Sequence, residues 1–422
     1  MGSVNIRKRG KYYQYQFEVA PIAGKRKQVT KSGFKTKAEA QEEGTKAYNE
    51  YITTGLNFKE SEISYSDYLD FWLEKYCKVN LRYSTIQTYK AIIENFLKPD
   101  LGKYRLSTIT SVKLNSYMSE LCMKTDYAKT YYSKILKVLK GTFRDACDLF
   151  GFLRYNPTIT LRLPRIEEDK KEANHIYTQE EIDTILNRFS YDETFTCAFL
   201  TACYTGMRTG EVCALTWDDI DLENAIIHVK HNVYDKPADE KGRWFIGKTK
   251  TISGIRDVHI CNTLLYALKN YKKKQSEYKN TFKNQYKTYH KEEVRNEYGK
   301  VVEYRIVEDK GNVISLNNMN LVFVKNNGVY VGTDITRYPF KIIHDELNIK
   351  KCRFYDLRGS YATKILNSGV EIRDVADMLG HKNIETTENY YITSLDENRN
   401  KASKKFDKII NSDIINMIAS YK

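Results

Sequence analysis

Three short segments late in the chain hold side chains suited to phosphate chemistry. Tyr355-Asp356-Leu357-Arg358 is followed by Leu379-Gly380-His381, then by Thr386-Thr387-Glu388-Asn389-Tyr390-Tyr391. Arginine presents a planar fork of donors that grips phosphate oxygens. Histidine holds or passes a proton near neutral pH. A tyrosine hydroxyl can attack and become covalently attached. Together they point to chemistry on a phosphodiester.

Two earlier segments extend the set. Thr205-Gly206-Met207-Arg208-Thr209-Gly210-Glu211-Val212 precedes Leu215-Thr216-Trp217-Asp218-Asp219-Ile220. Lys250-Thr251-Ile252-Ser253-Gly254-Ile255-Arg256 sits in a turn between two predicted strands. A phosphodiester is anionic and repels nucleophiles until cations compensate it, and two arginines and a lysine supply that compensation. A tyrosine ester conserves the energy of the broken bond, so religation needs no nucleotide. There is no Asp/Glu/His cluster with metal-ligand spacing and no Gly-x-x-x-x-Gly-Lys phosphate loop. No metal and no cofactor are expected. Singly, each residue has a plainer reading. Arg208 can cap a helix or pair with Glu211, His381 can be a satisfied half-buried histidine, and Tyr390 is one of 34 tyrosines. Jointly, the ordered set favours catalysis.

The 422 residues are too many for one ordinary domain. Lys and Arg number 68 against 54 Asp and Glu, a net charge of +14, which favours a polyanionic partner. The eight cysteines are scattered, none as C-x-x-C, so a reducing compartment fits better than a disulfide framework or a zinc site. An apolar leader and an 18-residue apolar run are both lacking, so secretion and membrane spanning are not expected.

Residues 1–58 read as a small α+β unit. Tyr13, Tyr15, Phe17 and Val19 alternate with polar neighbours as in a strand. Pro21 and Gly24 mark a turn, and Lys25–Thr30 reads as a second strand. Ser32-Gly33-Phe34 follows, then an amphipathic helix over Lys37–Thr53 that Gly55 stops. Arg7, Lys8, Arg9, Lys11, Lys25, Arg26 and Lys27 give the sheet a basic character, as in a sheet that enters a DNA groove or as a solubilising cap. Residues 62–160 read as four helices: Ser66–Tyr76, Thr85–Leu97 capped by Ser84 and broken at Pro99 and Gly102, Val112–Met123, and Lys129–Phe150. The last carries Lys129, Lys134, Lys137, Lys140 and Arg144 on a basic face. The aromatic stripes of these helices read as core rather than as base-stacking platforms.

Residues 163–174 are charged, aperiodic and linker-like. Residues 175–397 read as one mainly α domain with a small sheet. Thr178 and Glu181 form a capping box that opens it. Strands are expected at Ile226–Val233, Trp244–Lys248 and Ile255–Ile260. Leu265–Tyr298 reads as a long basic helical segment dotted with Tyr266, Tyr271, Tyr278, Tyr286 and Tyr289, and Val301–Val313 as a hairpin. Residues 270–318 or so then form a surface insertion or a DNA-contacting arm. Within residues 398–422, Lys401–Ile418 carries an apolar stripe at helical spacing. That helix is expected to reach a neighbouring subunit rather than dock on its own domain.

The four ordered catalytic-type segments closely resemble the tyrosine recombinases, or phage integrase family, over residues 175–394. The strongest likeness is to integrases of integrative conjugative elements, conjugative transposons and temperate phages. The resemblance implies a multi-domain fold. Its parts are an α+β arm-binding domain of three strands and a helix, an all-α core-binding (SAM-like) domain, and a mainly α catalytic domain with a small antiparallel sheet. It implies that Arg208 and Arg358 clamp the scissile phosphate and that Lys250 protonates the leaving 5′ oxygen, with Lys248 the runner-up. It further implies that His381 assists the nucleophile, that Tyr390, nine residues on, is the nucleophile rather than Tyr391, and that Glu211 supports the arginines. Tyr355 departs from the pattern, standing where the family usually has histidine. It keeps a hydrogen-bond donor but not a cation. Gly359 stands where many relatives carry a second histidine.

The activity implied is site-specific DNA cutting and rejoining through a 3′-phosphotyrosine, to integrate and excise a mobile element. A type IB-like topoisomerase and an inactive DNA-binding regulator are the alternatives. The implied partners are double-stranded DNA at core and arm sites, three further copies in a homotetramer, an excisionase and host DNA-bending proteins. Arg7, Arg9, Lys25, Lys27, Lys134 and Lys137 are the candidate DNA-binding residues. The implied location is the bacterial cytoplasm, at the nucleoid.

Overall fold

Alternating side chains at the start of the chain build a sheet rather than a tail. β1 (Asn5–Arg9), β2 (Tyr12–Ile22) and β3 (Lys25–Phe34) pair antiparallel in that order. The computed structural model describes residues 4–22, 25–54, 62–166, 175–249, 252–296, 299–309, 317–349, 352–385 and 387–388. Tyr15, Phe17 and Phe34 pack with Ala40 and Ala47 of the helix Lys37–Thr54. Gly44 lets that helix lie close on the sheet, since a Cβ there would come within 2.7 Å of Val4 and 2.8 Å of Tyr15. β3 runs through Ser32-Gly33-Phe34, which the sequence reading placed after the strand. Gly33, at φ +109, absorbs the irregularity.

The helical region is built on longer rods than the four predicted helices. Tyr65–Trp72 continues through a widened π turn, Leu73–Cys77, to Asn80. Tyr83–Ile92 continues through a second, Ile93–Leu97, into Lys98–Leu101. Pro99 therefore does not break the rod. The widened turn shifts the bonding register, and Pro99 falls in the first turn of the last piece, where its missing N–H costs least. Arg82, not Ser84, occupies the N-cap. Ser111–Lys124 and Lys129–Asp148 complete the set. The aromatic stripes are core, as expected: Tyr65, Tyr68, Trp72 and Phe143 are buried. The Trp72 indole donates to Asp145 at 2.8 Å, and the Tyr68 hydroxyl donates to the Thr142 carbonyl at 2.6 Å. Leu163 and Ile166, at the start of the predicted linker, pack on this core.

Residues 1–171 and 172–422 are separate compact units. In the second, the capping box forms as predicted. Thr178 accepts from the Glu181 amide at 3.2 Å, and Glu181 accepts from the Thr178 amide at 2.9 Å. The helix Glu193–Thr205 is buried along most of its length through Phe195, Ala198, Phe199 and Ala202. It packs on the helices Asn262–Phe282 and Asp356–Asn367.

Where one small sheet was expected, two form. β4 (Ile220–Asp221), β5 (Ile226–Val229) and β8 (Arg256–His259) make one, in the order β4-β5-β8. β6 (His231–Asp239) and β7 (Gly242–Lys248) leave for another, joined by β9 (Tyr289–Arg295), β10 (Val301–Glu308) and β11 (Asn318–Met319) in the order β11-β9-β10-β7-β6. The predicted helical segment Leu265–Tyr298 therefore holds only to Phe282. Lys283 takes φ +47 and ends it, and Tyr289 onward is strand. The hairpin joins β9 to β10 rather than lying within Val301–Val313. Lys- and Glu-rich residues favour a helix by propensity, but pairing with β10 and β11, with Tyr289 buried and alternate side chains of β9 half-buried, overrides it. Tyr271, Tyr289 and Ile306 enter the domain's main core, so this stretch is part of the domain body. The predicted helix Lys401–Ile418 lies outside the described residues.

Candidate active site

Each arginine of the site is placed by a feature the local sequence dictates. The helix Glu193–Thr205 ends at Gly206, which adopts φ +62. A Cβ there would come within 2.6 Å of the Tyr361 ring and 2.7 Å of Leu379, so only glycine fits. The turn delivers Arg208 to the N-cap of the short helix Thr209–Cys213. Glu211, only 2 % exposed, accepts the Arg208 amide at 3.0 Å and Arg208 Nη1 at 2.6 Å. The plainer reading of Arg208, a helix cap paired with Glu211, is thus realised as well.

Arg358 lies on the helix Asp356–Asn367 and is 1 % exposed. Asp356, at the start of that helix, is buried and accepts from the Arg353 amide and guanidinium. Nη1 of Arg358 donates to the Gly206 carbonyl at 2.8 Å, and Nη2 to the Leu379 carbonyl at 2.6 Å. Its Nε is buried and has no hydrogen-bond partner among the described residues. Burial and the nearby Arg208 hold this guanidinium below its ordinary value, at about 10, which leaves it charged at neutral pH.

A third arginine joins them that the sequence reading gave no role. Arg256 opens β8, and its side chain is 7 % exposed. Nη2 donates to the second oxygen of Glu211 at 3.0 Å, Nε to the Met378 carbonyl at 2.8 Å, and Nη1 to the Gly254 carbonyl at 3.1 Å. The signal was present in the sequence. Arg256 alternates with Val258 and Ile260 on the inward face of the strand, and a charge in that pattern calls for a buried partner. Burial raises the Glu211 carboxyl, but Arg256 and Arg208 outweigh it and hold the group below the usual carboxylate range.

The three guanidiniums converge on one helix end. Ile372–Leu379 stops at Gly380, which adopts φ +68. The Ala376 carbonyl accepts the His381 amide at 2.9 Å. The Asp377 carbonyl accepts the Gly380 amide at 2.9 Å, and the carbonyls beyond it have no helical donors left. Met378 is met by Arg256, Leu379 by Arg358, and Gly380 by Arg208 over a weaker 3.5 Å. Cations also suit the negative end of the helix dipole. Immediately beyond, the His381 ring shares a 2.8 Å hydrogen bond through Nδ1 with the hydroxyl of Thr387, which is fully buried. Burial, then Arg358, Arg208 and Arg256, push the imidazole down to about 4, so it is neutral at pH 7. The sequence alone does not single out Thr387, whose partner is found only through the fold.

Arg208, Glu211, Arg358 and His381 are therefore brought together. Tyr355 stands one turn before Arg358 and is 45 % exposed, open to solvent. Lys250, Tyr390 and Tyr391 lie outside the described residues. The turn that carries Lys250 approaches the site through its described end. The Ser253 carbonyl lies 2.7 Å from where a Cβ on Gly380 would fall, and Gly254 accepts from Arg256. Lys248 ends β7 opposite His231. In the first unit, Arg7 and Arg9 are exposed two residues apart on β1, and Lys134 and Lys137 are exposed on Lys129–Asp148. Lys25 and Lys27 stand on β3 opposite Ile22 and Val19 in register. No three His, Cys, Asp or Glu side chains cluster as a metal site among the described residues, and no described helix is long and apolar enough to cross a membrane.

Comparison with known proteins decides the family. The phage integrase family matches residues 175–398, over half of the chain. The chain belongs to the phage integrase family. It is a tyrosine recombinase of the kind that serves mobile elements. An arm DNA-binding domain matches residues 3–48 of this recombinase, and the SAM-like N-terminal domain of phage integrases matches residues 64–122. It is 27 % identical to a XerC-like tyrosine recombinase of Caldanaerobacter subterraneus subsp. tengcongensis, over 85 % of this chain and 86 % of that one. It is 22 % identical to the ICEBs1 integrase of Bacillus subtilis, over 94 % and 98 %. In fold it resembles the Tn1549 transposon integrase solved with transposon right end DNA, at 18 % identity and TM-score 0.60, over 81 % of this chain and all of that one. It also resembles a lambda integrase tetramer bound to a Holliday junction, at 16 % identity and TM-score 0.50, over 92 % and 94 %. The predicted multi-domain fold and the recombinase activity are both met.

Proposed function

We propose that this recombinase cuts double-stranded DNA at specific sites through a 3′-phosphotyrosine and rejoins it, integrating and excising a mobile element. The observation that carries the chemistry is the cluster of Arg208, Arg256 and Arg358 around the single carboxylate of Glu211. Three guanidiniums against one carboxylate leave two positive charges in a largely dry site, preorganised for a phosphodiester that gains negative charge as it is attacked. Arg358 Nε, a buried donor without a partner among the described residues, is a further group a phosphate oxygen would satisfy.

In this reading the Tyr390 hydroxyl oxygen attacks phosphorus and gives up its proton. The bond from phosphorus to the 5′ oxygen breaks, and Lys250 protonates that oxygen. Religation runs the same step backwards from the free 5′ hydroxyl. His381 is neutral, so it can accept the Tyr390 proton or donate to a phosphate oxygen. A bound phosphate also offsets the arginines that push the imidazole down. Tyr355 supplies a phenolic donor in place of an imidazole.

Residues 1–58 would hold arm-type sites, while residues 62–160 and 175–397 clamp the core site. Arg7, Arg9, Lys134 and Lys137 are exposed and basic, as phosphate contacts must be. Four copies would exchange strands through a Holliday junction, as the lambda integrase relative solved as a tetramer on such a junction suggests. Excisionase and host DNA-bending proteins complete the set, acting at the bacterial nucleoid.

The test is covalent trapping on a nicked duplex taken from the DNA flanking the gene. Wild type should become covalently attached and Tyr390→Phe should not. Attachment by the Phe variant would refute the nucleophile assignment. Relaxation of any supercoiled plasmid without a specific site would favour the topoisomerase alternative.

A further inference from the structure

We infer that Arg256 is a positioning residue for DNA cleavage: it never touches the phosphate but sets the geometry of the groups that do. Its guanidinium has one acceptor on each of three separate pieces of the site. These are Glu211 beside Arg208, the Gly254 carbonyl in the turn that carries Lys250, and the Met378 carbonyl three residues before His381. One planar fork therefore fixes the distances between the first arginine, the lysine turn and the histidine.

Each of its three nitrogens is engaged in one of these contacts, and its side chain is 7 % exposed. It therefore faces protein on every side rather than an open phosphate site. By contrast, Arg208 commits Nη1 to Glu211 and holds Gly380 only at 3.5 Å, and its side chain is 23 % exposed. Arg208 is the arginine left available to a ligand, and Arg256 is the one locked behind it. Both share one carboxylate, so Glu211 transmits the position of Arg256 to Arg208. Gly380 completes the fit, since a Cβ there would come within 3.2 Å of the Arg256 side chain and 2.7 Å of the Ser253 carbonyl. A lysine cannot reproduce the arrangement, because one ammonium on a flexible stem does not span three fixed acceptors.

The inference rests on the proposed cleavage site, so the experiment separates the two. Covalent trapping on the same nicked duplex is timed for wild type, Arg256→Met, Glu211→Gln, the double variant and Arg256→Lys. Arg208→Ala and Tyr390→Phe serve as site controls. Arg256→Met and Glu211→Gln should each slow trapping by ~10²-fold, with affinity for the duplex within about threefold of wild type. The double variant should be no slower than the slower single, because both act through one carboxylate.

Glu211 faces Arg208, Arg256, Arg358 and His381. Removing Arg256 should therefore move the acid limb of the trapping rate to higher pH, a change that loss of packing alone would not produce. If Arg256→Met does not fold, Arg256→Lys carries the test and should be slowed at least ~10-fold, with a smaller shift of the acid limb because the lysine keeps the positive charge. Wild-type rates in Arg256→Lys, or single-variant effects that multiply in the double, would overturn the inference. Trapping by Arg208→Ala and Tyr390→Phe at the wild-type rate would instead overturn the site.

Discussion

Arg358 donates to the carbonyl of Gly206 at 2.8 Å, across 152 residues of sequence. Its other terminal nitrogen holds Leu379, so one guanidinium ties the end of Glu193–Thr205 to the end of Ile372–Leu379. Arg358→Lys can keep at most one of these bonds. It should lower the cleavage rate at least ~10²-fold while the chain still binds its duplex. Each buried carbonyl left without a donor costs about 1–3 kcal/mol, so Arg358→Ala should also melt lower. Trapping rate and calorimetric midpoint, measured on the same preparations, check both statements.

Gly206→Ala tests the turn from the other side. Left-handed backbone costs an alanine about 1–2 kcal/mol, and the new methyl meets the buried Tyr361 ring and Leu379 as well. A loss of ~2 kcal/mol or more is expected in denaturant unfolding, together with slower trapping, since the Gly206 carbonyl is an anchor of Arg358. An unchanged midpoint would mean the turn can relax.

Stability should fall on the acid side in two stages. His381 sits at about 4 when folded, against an ordinary value near 6.5, so the unfolded chain takes up a proton that the folded one refuses. Stability is therefore full above about pH 6.5 and declines as pH drops toward 4. Glu211 is depressed too, so its contribution is present above the ordinary carboxylate value and is lost as pH falls through its lower folded value. Urea midpoints measured across this range should show the upper slope flattened in His381→Gln and the lower one reduced in Glu211→Gln.

How much of this the sequence disclosed depends on whether the information was local. Thr178 and Glu181 are three residues apart and their capping box was legible. Arg208, Arg358 and His381 were legible because each sits in a short segment of distinctive residue types. Arg256 was not read because two of its three partners, Glu211 and Met378, are 45 and 122 residues away. Its inward place on β8 was the only local trace. β9 was misread as helix for the same reason: its Lys and Glu residues are poor strand formers, and only pairing with β10, which also pairs with β7, makes it one.

The corrected sheet makes its own prediction. Tyr289 is buried, and its hydroxyl accepts the Tyr330 amide at 3.0 Å. The Tyr330 hydroxyl in turn donates to the Cys213 carbonyl at 2.7 Å, at the end of the helix that carries Glu211. Tyr289→Ala should cost about 3–5 kcal/mol, as for other large aromatics removed from a core, and should slow trapping as well. Tyr266, 70 % exposed on Asn262–Phe282, is the control, and Tyr266→Ala should stay within about 0.5 kcal/mol of wild type. Equal effects at the two positions would restore the reading of this stretch as a surface insertion.

Thr387 offers the sharpest test of how the histidine is used. Its hydroxyl is buried and shares a 2.8 Å hydrogen bond with His381 Nδ1, which fixes the plane of the ring. A neutral imidazole has one donor and one acceptor nitrogen, so whichever role Nδ1 takes toward the hydroxyl leaves the opposite role to Nε2. Thr387→Val keeps the shape and removes the hydrogen bond. Thr387→Ser keeps the hydrogen bond and removes a methyl. If orientation of the ring matters to cleavage, Val should slow trapping about 10-fold or more, and Ser should restore most of the rate. If only packing matters, the order reverses, because Val fills the site and Ser leaves a gap of one methyl, worth about 1 kcal/mol. The two substitutions differ in opposite senses from wild type, so the ranking of their rates, with duplex affinity held equal, separates the roles.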